Sequence, residues 1–241
     1  MSARFQELDW RQTPMGELSL RRRYDPLFRS KVHEIKLGDE FLMSSLFTAA
    51  EIEMSRLALA QTRGTDLRVA VGGLGLGYTA EAVLEDNTVG SLVVVEAMAE
   101  VIDWHREGLI PLGPTLTEDP RCRLVHGDFF AMVGAGSGPA PEPEPEPFHA
   151  VIVDIDHSPT HVLDPGHAGL YTPEGLRHLR DHLLVPGGVF ALWSNDAPDE
   201  GFTELLGSVF DRAWAEVVSF PNPIQGGESG NSVYLAVAPR A

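Results

Sequence analysis

The sequence predicts an α/β fold whose seven-stranded mixed sheet is closed by an antiparallel C-terminal strand pair. Three observations predict it. From residue 65 onward, short apolar runs alternate with stretches of helical periodicity, the pattern of strand–helix–strand units. The first apolar run passes into a glycine-dense bend, LRVAVGGLGLGYT at 67–79. The last two strand-like runs, 214–220 and 232–238, are joined only by PNPIQGGESGN, and short strands linked that way pair antiparallel.

Residues 1–40 are charged and irregular, with RRR at 21–23 and a strand-like run at 31–37. They read as an extension or a small hairpin, with the basic run as a solvated patch. Ser44 or Ser45 is placed to cap a helix carrying Glu51 and Glu53 in its early turns, where acids suit the helix dipole. Phe47, Ala50, Met54, Leu57 and Ala58 give that helix one apolar face. Strands follow at 67–71, 91–95, 123–126, 150–153 and 189–193, with helices near 79–84, 98–105, 173–184 and 202–210 and a turn at 186–188. The chain thus divides into an N-terminal extension and helix, 1–64, packing on or covering the active site, and a nucleotide-binding unit, 65–241. Within the latter, the alternating Pro and Glu of 134–147 suit an extended polyproline-like surface loop.

Of 241 residues, 43% are hydrophobic, enough for one well-buried domain. With 18 basic and 35 acidic side chains the formal charge is −17, which disfavours nucleic acid and anionic membranes and tolerates a cationic acceptor. Cys122 is the single cysteine, so zinc signatures and intrachain disulfides are excluded, and its strand-like setting suits packing. The N-terminus lacks the apolar run of a signal peptide, and a cytoplasmic location is the expectation.

Gly72, Gly73, Gly75 and Gly77 lie where backbone closely approaches a nucleotide ligand. Glu96 ends the second strand of the unit, where an acid either accepts bonds from both ribose hydroxyls or caps the next helix. Asp128, after the third strand, suits an adenine amino group with Phe129 against the ring, or an N-cap with a core aromatic. The three features occupy successive strand ends, where open parallel sheets bind ligands. On the acceptor side stand Asp154 at the end of the fourth strand, with Asp156, His157 and Tyr171 beyond it. Asp154 suits positioning or deprotonating an attacking amine, Asp156 holding another donor of the acceptor, and His157 relaying a proton. Trp193 and Ser194 end the fifth strand, and Met43 and Ser44 are placed to close the pocket from the N-terminal side.

These features resemble the class I S-adenosylmethionine-dependent methyltransferase fold, which is Rossmann-like. Within it, VIVDIDHSP and LYTPEGLRHLRDHLLVPGGVFALWS resemble the spermidine synthase family and its methyltransferase-like relatives over about residues 65–240. The resemblance implies S-adenosylmethionine or its decarboxylated form as donor, bound at Gly72–Gly77, Glu96, Asp128, Phe129 and Asp154, and a possible homodimer. The N-terminal β-domain, which supplies polyamine-binding residues in the family, reads as abbreviated in this chain, and the chain departs from the family pattern at two further positions. Gly75 stands where the glycine loop of the family carries an acid, and His157 stands where its second catalytic-end acid falls. These departures favour methyl transfer from S-adenosylmethionine to a small acceptor, amines included, over polyamine aminopropyl transfer from the decarboxylated donor. A non-catalytic protein retaining the fold and a nicotinamide dehydrogenase are the other readings.

Overall fold

The structure, a computed structural model, describes residues 5–134 and 146–240. Apart from its two ends, the loop expected over 134–147 lies outside the described residues. The first forty residues correct the sequence reading. They form a four-stranded antiparallel sheet in the order β1 (Phe5–Thr13), β2 (Gly16–Asp25), β3 (Ser30–Leu37) and β4 (Glu40–Ser44). Their strand pattern was masked because the outer face is polar, while Leu18, Leu20, Val32 and Ile35 point into the core. The basic run at 21–23 is not simply solvated. Arg23 pairs with Asp25 at 2.6 Å and with Glu34 at 2.7 Å, and Arg21 lies over the Phe5 and Phe41 rings.

Helix α1 (Ala49–Gln61) follows, and its cap also differs from expectation. Thr48 holds the N-cap position without a side-chain bond, while Ser44 ends β4 and the Ser45 hydroxyl accepts the His33 N–H at 2.9 Å. Then come β5 (Leu67–Gly72), α2 (Tyr78–Leu84), β6 (Val89–Glu96), α3 (Ala99–Arg106), α4 (Gly113–Glu118), β7 (Cys122–His126), α5 (Phe129–Met132) and β8 (Phe148–Val153). Beyond them α6 (Pro173–His178) runs into a π-helical turn at Leu179–Leu183, so the helix expected to Leu184 widens in its last turn and ends one residue sooner. The chain closes with β9 (Leu184–Ser194), α7 (Glu200–Val209), β10 (Arg212–Asn222) and β11 (Gly227–Val237). The turn expected at 186–188 lies within β9. There the register against β8 jumps from Phe148↔Leu184 to Ala150↔Val189, and Gly187 takes φ +77°.

The second sheet has seven strands in the order β10-β11-β9-β8-β5-β6-β7, with β10 and β11 antiparallel at one edge. Central β5 and β8 read as nearly continuous apolar runs because helices cover both sheet faces. On one face Val69, Val71, Ile152 and Ala191 pack with Met54 and Ala58 of α1, and this core continues to Leu18, Leu20 and Ile35 of the N-terminal sheet. On the other face Val151, Val153 and Phe190 pack with Leu176, Leu179 and Leu206. The two sheets therefore share one apolar core. A polar tie reinforces it: the indole N–H of fully buried Trp104 on α3 donates to Asp9 of β1 at 2.7 Å. Trp104→Phe removes that donor and should cost about 1 kcal/mol, a Tm decrease of ~2–4 °C in thermal unfolding.

Candidate active site

Among the described residues, a cavity of about 790 Å³ opens where the carboxyl ends of β5, β6, β8 and β9 meet the N-terminal sheet and the tip of the β10–β11 hairpin. Its geometry begins with the bend after β5. The Asp154 N–H donates to the Gly72 carbonyl at 2.9 Å, and the Gly73 N–H donates to Val95 at 2.9 Å, so the bend is bound to both flanking strands. Gly73 takes φ +92°, and a Cβ there would collide with the Asp154 carbonyl oxygen. Gly75 takes φ +46°, and the Met43 sulfur lies 2.7 Å from where its Cβ would be. The same sulfur accepts the Leu76 N–H at 3.1 Å. Only glycine combines these backbone angles with so little room.

Of the residues expected to hold the donor, Gly73, Gly75, Glu96, Asp128, Phe129 and Asp154 all border the cavity. Gly72 and Gly77 stand behind its wall. Gly72 faces the Phe129 ring, and Gly77 faces Leu116 and His105 at the start of α2. Glu96 accepts the Leu74 N–H at 3.0 Å and the Met98 N–H at 2.8 Å, tying the glycine bend to the entrance of α3. Burial pushes its carboxyl above the usual range, opposed by N–H groups that include those of Met98, Leu74, Gly75 and Ala97. Asp128 caps α5 by accepting the Phe130 N–H at 2.8 Å. The two roles offered for each acid are thus compatible, since a carboxylate has lone pairs for several donors.

The acceptor residues divide. Asp154, His157, Met43, Ser44 and Trp193 line the cavity. Asp156, Tyr171 and Ser194 are not brought to it. Asp156 is 1% exposed and accepts from the Leu163 N–H, the His167 ring and the Tyr171 hydroxyl, each at 2.7 Å. Its carboxylate is occupied in holding the loop after β8, a positional role rather than the expected contact with an acceptor. Ser194 is fully buried and accepts the Asp196 N–H at 3.2 Å. His157 pairs with Glu40 of β4 at 2.9 Å across 117 residues of chain.

Asp154 lies at the centre of the site. The Thr79 hydroxyl at the start of α2 donates to it at 2.6 Å. Burial nonetheless raises its carboxyl to about 6. Glu51, in the first turn of α1, borders the same cavity at 8% exposure and is raised to about 8, first by burial and then by repulsion from Asp154. Together the two carboxyls retain a proton near neutrality. Elsewhere, burial raises the Cys122 thiol to about 12, in keeping with a packing role.

Sequence reasoning placed Glu51 only as a helix-dipole acid. It passed over Glu40, and over Phe220, Asn222, Gln225 and Asn231 at the hairpin tip, all of which line the cavity. Sequence spacing gave no signal for the hairpin residues, because they reach the site through the pairing of two edge strands. Glu51 had a readable signal: an acid falling on the apolar stripe of α1, one residue from Ala50 and three from Met54.

No protein-family model and no curated protein matches the sequence. Solved structures do share its fold. A spermidine synthase in complex with the transition state analogue AdoDATO superposes with a TM-score of 0.72 at 18% identity, covering 98% of this chain and 75% of that one. The spermidine synthase from Thermotoga maritima gives 0.70 at 17% identity, over 98% and 74%. A probable spermidine synthase from Corynebacterium glutamicum gives 0.63 at 17% identity, over 96% and 79%. The chain therefore has the Rossmann-like α/β fold of the spermidine synthases along almost its whole length, N-terminal sheet included. Among the described residues, no helix is long and apolar enough to cross a membrane.

Two outcomes follow from these contacts. Tyr171→Phe leaves buried Asp156 one donor short and should lower stability by about 1–3 kcal/mol in denaturant titration. For Glu51, the folded chain holds a proton that the unfolded chain releases near the ordinary value of 4.5, so its contribution to stability falls as pH rises from about 4.5 to about 8. Glu51→Gln removes that dependence. Its Tm should draw ahead of the wild type across this interval, by at least ~2–4 °C at the upper end, and the gap should then stay constant.

Proposed function

We propose that the protein transfers an aminopropyl group from decarboxylated S-adenosylmethionine to a small amine. One observation carries this reading. The cavity is lined by Glu40, Glu51, Glu96, Asp128 and Asp154, and by no lysine or arginine among the described residues. In such a field a donor carboxylate would meet repulsion without a basic side chain to pair it, whereas a donor that lacks it is purely cationic at its reacting end. The shared fold with spermidine synthases supports the same choice over the methyl transfer favoured by sequence alone. The two acids of the family pattern that this chain lacks, at positions 75 and 157, have stand-ins from the N-terminal segment: Glu51 borders the same cavity, and Glu40 is bonded to His157.

The donor supplies a sulfonium leaving group, so no metal is needed to make its adjacent carbon electrophilic. The remaining work falls to the protein. Glu96 receives the ribose hydroxyls, and Asp128 with Phe129 frames the adenine. The glycine bend lets backbone lie against the nucleoside. Asp154 holds the acceptor nitrogen and takes its proton, since only a neutral amine attacks, and a carboxyl raised to about 6 is suited to that exchange. Thr79 fixes the rotamer of Asp154. Phe41, Leu42 and Phe47 help to wall the methylene portion of the ligands from water.

Methyl transfer from S-adenosylmethionine to a small amine is the second reading, favoured by Gly75, which leaves the glycine bend without a carboxylate. Mass spectrometry of products formed with each donor and a panel of amines separates the two. An aminopropyl adduct from the decarboxylated donor is expected, and a methyl adduct from the carboxylated one overturns the proposal. In the active pairing, Asp154→Asn should lower kcat by ~10²–10⁴ while changing donor Kd only a few-fold.

A further inference from the structure

Glu51 is a costly residue to keep where it is. It lies nine-tenths buried on α1, in a helix face shared with Ala50, Met54, Ser55, Ala58 and Leu59, and it borders the cavity; Ser55, the other polar residue of that face, is satisfied by the Thr79 carbonyl. Among the described residues no other residue hydrogen-bonds its carboxyl; its own backbone N–H is the only donor that steadies it. The nearest charge acting on it is another carboxyl, that of Asp154. Packing alone would be better served by an apolar side chain at this position. The Met43 sulfur occupies the space beside Gly75, so a side chain on the glycine bend would have to displace it, whereas Glu51 borders the cavity from α1.

We propose that the Glu51 and Asp154 carboxyls together form the seat of a primary ammonium group of the bound substrate. A cation placed against both relieves their mutual repulsion and supplies the donors that Glu51 lacks. It also lets both carboxyls ionise on binding, so the proton they retain in the free protein is released. The Thr79 bond fixes the Asp154 carboxyl, and Asp154 borders the cavity. This seat rests on the donor and acceptor classes proposed above only for the identity of its ligand: both the aminopropyl donor and an acceptor diamine carry such an ammonium group.

Isothermal titration calorimetry of wild type and Glu51→Gln tests it with three probes. 5′-Methylthioadenosine has the nucleoside and sulfur but no amine. Decarboxylated S-adenosylmethionine adds the sulfonium charge and the ammonium, and the diamine carries ammonium groups without a sulfonium. 1,4-Diaminobutane, titrated in the presence of methylthioadenosine, reports the acceptor side. The substitution is isosteric, so its fold is checked by thermal unfolding. A loss of roughly tenfold or more is expected for an ammonium-bearing probe, with methylthioadenosine unchanged within about twofold. Loss confined to decarboxylated S-adenosylmethionine assigns the seat to the donor, and loss confined to the diamine assigns it to the acceptor. Equal weakening of all three probes, no weakening of any, or failure of wild type to bind either ammonium probe overturns the seat. Methyl transfer by wild type would sink the aminopropyl reading while leaving this selective loss to be read independently.

Discussion

The backbone of Asp154 lies against the glycine bend, and this close approach governs the site. The Asp154 N–H is bonded to Gly72 and its carbonyl oxygen abuts Gly73, so the loop that borders the cavity and the strand end that carries the central acid move as one piece. A side chain at residue 73 would force them apart. Because β5 and β8 are adjacent in the sheet, the contact is fixed by strand register as well as by the bend, and the helices on both faces hold that register. Precision at the reacting end thus derives from the most buried part of the molecule.

Burial at that point has an electrostatic cost. Glu51, Glu96 and Asp154 are each driven toward their neutral forms by loss of water, and the fold compensates them unequally. Glu96 receives several backbone N–H groups, Asp154 receives one hydroxyl, and Glu51 receives no bond from any other described residue. The gradient runs from a tightly held structural acid to one left in want of a partner. Beside Glu51 and Asp154, a cavity built this way favours a cation over an anion.

The sheet was legible because its physics is local. Branched apolar runs such as 67–71 and 150–153 can hardly be anything but covered strands, and Gly73 announces a bend that side chains forbid. The closing antiparallel pair was legible from its Gly/Pro-rich link. The N-terminal sheet was not, since strands with one wet face and paired charges such as Arg23–Glu34 look irregular in one dimension. The site was half legible for a similar reason. Glu96, Asp128 and Asp154 sit at strand ends, where fold class alone points to ligands. Asp156 sits two residues from Asp154, yet the chain turns it away into a knot with His167 and Tyr171. Glu40 and the hairpin tip reach the cavity only through tertiary packing, which no spacing encodes.

The β10–β11 hairpin gives the acceptor end of the cavity an unusual independence. Its tip contributes Phe220, Asn222, Gln225 and Asn231, while its base is anchored in the sheet by β9. A strand advances about 3.3 Å per residue and its side chains alternate between faces, so removing two facing pairs near the tip would keep the same residues on the cavity side and draw that wall back by about 7 Å. The reach of the cavity at this end is therefore set at the sheet margin, separately from the buried acids at its centre.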